Sequence, residues 1–223
     1  MKKLVIVAMI ALFLSAGIAQ AQVAVTVDPG TLTNGFMNVF ELDGTTYAFG
    51  QPWGPADLTA VWDGGLVTLG PNTIGDPNTY WYNCVDPADE PNCGGPGAPG
   101  NKIMEANLYA EPAGFSGQSV TFSGVVTDFS LTGAHTVVAF VKDFAPDFSS
   151  FEQQTVPLDA TGAFTVTLNT INDPARHVQY GFQMVGVNVW VTDLAPFGTI
   201  TIGMDGAVAT ESETWGSIKS TYR

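Results

Sequence analysis

Apolar and polar residues alternate in short runs along nearly the whole chain, and no run in its body sustains a helical period. Phe164, Val166 and Leu168 alternate with Thr165 and Thr167. Side chains on a strand point to opposite faces in turn, so this run predicts a strand with one wet face. Similar runs predict strands over 23–27, 37–42, 45–49, 58–62, 66–69, 79–83, 101–111, 118–127, 153–158 and 163–168. Residues 136–141 are apolar at nearly every position, which predicts a strand buried on both faces within 135–143. Asp43-Gly44 and Asp63-Gly64-Gly65 supply hairpin turns. The total is eleven to thirteen short strands, and the fold class is all-β: an antiparallel β-sandwich, jelly-roll-like.

Residues 178–202 hold the most suggestive pattern. Val187, Val189 and Val191 alternate with Asn188, Trp190 and Thr192, which predicts valines on one face and a tryptophan among polar groups on the other. Pro196 and the glycines at 181, 186 and 198 interrupt the region, so Trp190 is expected at a strand end on the sandwich rim.

The ends read differently. Lys2 and Lys3, the apolar run 4–14 and Ala19-Gln20-Ala21 have the layout of a secretory signal peptide cleaved near Ala21. The expected organisation is a signal peptide over 1–21, one sandwich domain over 22–206 and a tail over 207–223. In the tail, Thr210 to Glu213 offers a capping box, and Trp215, Ile218 and Tyr222 share one helical face, so a short helix is expected. The expected location is secreted, periplasmic or cell-surface. Without the leader, five basic residues face 21 acidic ones, a net −16. That charge disfavours nucleic acid and anionic membrane surfaces as partners. No later run is long enough for membrane insertion. In an oxidising compartment Cys84 and Cys93 are expected to pair, stapling the Pro- and Gly-rich loop 84–100.

Catalytic signatures are absent. There is no G-x-S-x-G, P-loop or dinucleotide-binding glycine pattern, and His135 and His177 have no metal-ligand spacing. The sequence therefore points to a non-catalytic protein. Loop carboxylates at Asp86, Asp89, Glu90, Asp143 and Asp147 raise a structural Ca²⁺ as one option, solvated surface acids as the other. The aromatics say more. Trp53, Tyr80, Trp81, Tyr82 and Trp190 lie in polar, turn-rich sequence, where rings present flat apolar faces to sugars. With Asn188, Gln183 and Arg176 as hydroxyl partners they form the expected carbohydrate-binding set.

Segments 37–42 (MNVFEL), 100–106 (GNKIMEA), 120–124 (VTFSG) and 178–183 (VQYGFQ) resemble carbohydrate-binding modules of the galactose-binding-like jelly-roll class. The resemblance implies polysaccharide binding. With Phe40-Glu41 near the start and Asp205 near the end, it also implies Glu41 and Asp205 as ligands of a structural calcium. Two alternatives stay open: a structural or adhesive surface protein, and a polysaccharide lyase or hydrolase.

Overall fold

The computed structural model describes residues 21–204. The expected signal peptide up to its last residue, the C-terminal helix and Asp205 lie outside them. Two six-stranded sheets pack face to face. The first contains β1 (Gln22–Thr26), β4 (Ala60–Asp63), β5 (Leu66–Leu69), β8 (Ser119–Phe129), β11 (Gly162–Asn169) and β14 (Ile200–Gly203). The second contains β2 (Asn34–Phe40), β3 (Tyr47–Pro52), β7 (Ile103–Ala110), β9 (His135–Phe144), β10 (Phe151–Pro157) and β12 (His177–Val187). Its order is β10-β9-β12-β7-β2-β3, antiparallel throughout. The sandwich departs from pure antiparallel pairing in two places. β1 runs parallel to β8, and β6 (Thr73–Ile74) runs parallel to β13 (Val189–Trp190).

The core fills the space between the sheets. Met37, Met104, Leu108, Tyr180, Phe182 and Met184 come from one sheet, and Val120, Phe122, Phe164, Val166 and Ile202 from the other. Phe122 bridges them, its ring centroid 5.3 Å from Phe182 and 5.4 Å from Phe164. On β11 the expected alternation holds, with Phe164, Val166 and Leu168 buried and the threonines exposed. On β9, Val137, Ala139, Phe140 and Val141 are buried while Thr136 is exposed. The hairpin at Asp43-Gly44 forms as expected. Gly44 takes φ +68°, and the Asp43 carboxylate accepts hydrogen bonds from Thr45 N, Thr46 N and Thr46 Oγ1. Cys84 and Cys93 form a disulfide.

Two expected strands are corrected. Residues 79–83 form a turn, closed by Trp81 N and Tyr82 N donating to Asn78 O. The run 187–192 is not one alternating strand. β12 ends at Val187 because the next side chain, Asn188, takes over the pairing: its Oδ1 accepts from Asn101 N and Lys102 N, and its Nδ2 donates to Trp81 O. As a result Val191 is exposed and Asn188 buried, the reverse of simple alternation.

Candidate functional site

The second sheet has an outward face that no further layer of the described residues covers, and register sets its chemistry. Pro52, Phe36, Asn107, Gln183 and Val138 form one row across β3, β2, β7, β12 and β9. The next holds Gly50, Asn38, Glu105, Val185 and Thr136. On the other side, Asn34, Tyr109, Gly181, Phe140 and Thr155 align, followed by Gln179, Lys142 and Gln153. An outward sheet face is ordinarily solvated. Here Asn107, Lys142 and Gln179 are only 6 to 8 % exposed. Aromatic walls enclose them, so the face becomes a trough of about 530 Å³ lined by Phe36, Tyr47, Tyr109, Phe144 and Phe148 as well as the polar groups. That volume falls in the ~300–1,000 Å³ range of small-molecule sites.

Asn107 is the hub of the floor. Its Oδ1 accepts from Lys142 Nζ at 2.9 Å and Gln183 Nε2 at 3.0 Å. Its Nδ2 donates to Phe36 O and to Glu105. Glu105 Oε1 also accepts from Asn38 Nδ2 at 2.9 Å. Lys142 lies over the Phe140 ring, its ammonium 4.2 Å from the centroid. Burial holds this ammonium's pKa down to about 8, with the negative charge of Glu105 pulling the other way. Burial and the charge of Glu111 raise the Tyr109 phenol. At one end, Glu111 accepts from Gln179 Nε2 at 2.6 Å and pairs with His177 Nδ1 at 2.7 Å. Gly181 is obligatory between these rows, since a Cβ there would run into Leu108 O of the neighbouring strand.

The expected site residues are scattered. Gln183 alone among them belongs to the trough floor, through Asn107. Tyr82 is removed from the set: it is fully buried and its hydroxyl donates to backbone carbonyls of Ile74 and Val189. Asn188 is removed as well, being 1 % exposed with its amide committed to backbone. Trp190 is half-buried and packs edge-on against Tyr82, so these two meet beneath Gly94 of the cystine loop and not across an open groove. Tyr80 and Trp81 cluster with Phe49, which pairs in register with the inward-facing Val39 and so lies away from the trough. Trp53 lines a separate shallow cleft with Ile74 and Asp76. Arg176 is committed to the buried Asp143, donating to its carboxylate and its carbonyl, both at 2.8 Å. Glu41, the expected calcium ligand, pairs with Lys102 Nζ at 2.9 Å, so a cation already meets that carboxylate. Among the described residues, no group of three or more acidic, His or Cys side chains is placed to hold a metal.

One sequence signal pointed to the trough. Asparagine is depleted in strands, yet Asn38 and Asn107 sit in the interiors of β2 and β7.

The fold and the trough define the class: an all-β sandwich with an enclosed polar–aromatic face. No protein-family model, curated protein or solved structure matches the chain. No helix among the described residues is long and apolar enough to cross a membrane.

Proposed function

We propose that this is a secreted, non-catalytic carbohydrate-binding protein that holds a polysaccharide segment in the trough of its second sheet. The observation that carries the reading is the burial of Asn107, Gln179 and Lys142 on a sheet face that no further layer of the described residues covers. Buried polar groups need partners. Asn38 and Gln179 line the trough, and with their amide nitrogens on Glu105 and Glu111 their oxygens stay open to a donor. Sugar hydroxyls both donate and accept, which suits such amides, and sugar C–H faces suit the rings of Phe36, Tyr109 and Phe148. The platform expected at Trp190 thus passes to this trough. Export follows from the leader pattern, and mass spectrometry of protein recovered outside the cytoplasm should find a chain starting near Gln22.

Calorimetry against a panel of neutral and acidic oligosaccharides tests the reading. Phe36→Ala and Gln179→Ala should weaken binding at least fivefold, whereas Trp190→Ala should leave it within twofold provided the variant folds. Wild-type protein that binds no member of the panel would sink the reading.

A further inference from the structure

Three Lys and Arg side chains lie among the described residues, and two are ion-paired: Lys102 with Glu41 at 2.9 Å and Arg176 with Asp143 at 2.8 Å. Lys142 is the exception. It is 6 % exposed and lines the trough, and no carboxylate of the described residues lies within 4.0 Å of its nitrogen. An ammonium has three N–H donors, and here one protein acceptor, Asn107 Oδ1, meets them. A buried charge without a counter-charge is disfavoured unless something else supplies it.

The neighbouring groups supply it only at a distance, through the charge of Glu105, and none makes an ion pair with it. On β7, Glu105 Oε1 accepts from the amides of Asn38 and Asn107, so its charge favours the ammonium without touching it, and Tyr109 carries a phenol raised further by burial. Glu111, beyond β7, is engaged by His177 and Gln179. Gln153 is the register neighbour of Lys142 on β10, with Thr155 opposite Phe140, and neither is charged. Tyr47 stands on the β3 side.

We infer that the ligand carries a single carboxylate, as a uronic acid ring does, and that Lys142 receives it at the trough floor. This rests on the trough being a glycan site. One cation suits one negative charge, and the surrounding amides suit the hydroxyls of the same ring. The surplus of acidic residues across the chain disfavours densely anionic polymers, so the charge is expected on isolated rings.

The test uses trisaccharides with one galacturonate, glucuronate or mannuronate ring between neutral sugars, the same three after carboxyl reduction, and a neutral trisaccharide bearing one sulfate, by calorimetry at pH 6.5. At least one uronate should bind tenfold or more tighter than its reduced form. Lys142→Met should bring that ratio to within twofold of unity, and Lys142→Arg should keep most of it. The ratio should also fall as pH rises through about 8, where this ammonium loses its proton. Lys142→Gln serves as a second neutral variant if Lys142→Met proves unsound. Equal binding of acid and reduced forms, or a preference that survives Lys142→Met, overturns the carboxylate assignment alone. A preference for the sulfated sugar does so too. Failure of wild type to bind any probe, neutral ones included, overturns the trough reading and this inference with it.

Discussion

Phe148 lies flat against His177, the ring centroids 4.3 Å apart and the planes 22° apart. Phe148 holds φ at +57°, a region that side chains other than glycine rarely adopt. Phe144 flanks it at 5.6 Å, and His177 is in turn tied to Glu111. A half-exposed ring kept in a costly backbone state at the mouth of a trough suits ligand contact better than core packing. Phe148→Ala is expected to weaken oligosaccharide binding about tenfold, with a stability change within ~1 kcal/mol because the ring is 52 % exposed. Calorimetry and denaturant unfolding check the two halves separately.

Lys142 links the site to the stability of the whole chain. Its folded pKa, about 8, lies below the ordinary lysine value of 10.5 because burial penalises the charge. Between these values the unfolded chain binds more protons than the native one, so stability should rise with pH across about 8 to 10.5. Below that window the buried charge weighs against the fold. Lys142→Met removes it and is expected to stabilise the protein at pH 7 by about 2 kcal/mol while flattening the rise above pH 8. Urea unfolding at several pH values measures both.

Asn188 should behave as a structural residue. Replacing it by alanine leaves the buried Lys102 N–H, the Asn101 N–H and Trp81 O without their partner. The expected cost is about 2–4 kcal/mol, seen as a lower denaturation midpoint. Affinity of the protein that remains folded should be unchanged.

Tyr82→Phe removes one hydroxyl that reaches two backbone carbonyls, Ile74 O and Val189 O, and so loosens the short β6–β13 pair. A loss of about 1–2 kcal/mol is expected with no effect on glycan binding. An affinity loss without a stability loss would return Tyr82 to the site.

Local signals made most strands and the disulfide legible. Period-two alternation placed β11, and Asp43-Gly44 placed the first hairpin, because each is decided by neighbours in sequence. The site was less legible because register between distant strands creates it. Asn107 becomes a hub only when Gln183 lies opposite it on one side and Phe36 on the other, 76 and 71 residues away. The alternation expected over 187–192 fails for a similar reason. Nothing local shows that Asn188 will turn inward to hold Asn101 and Lys102, yet that contact ends the alternation at Val187.

β12 shows what the pleat makes available to change. Its even positions, Val178, Tyr180, Phe182 and Met184, are core, while His177, Gln179 and Gln183 serve the trough. The same interleaving runs through β7, where Met104, Ala106 and Leu108 alternate with Glu105, Asn107 and Tyr109. The trough and the core are thus carried by separate letters of the same strands. A library varying only Glu105, Tyr109, Gln179 and Gln183 would leave the interior sequence untouched, making this face open to redesign without disturbing the core.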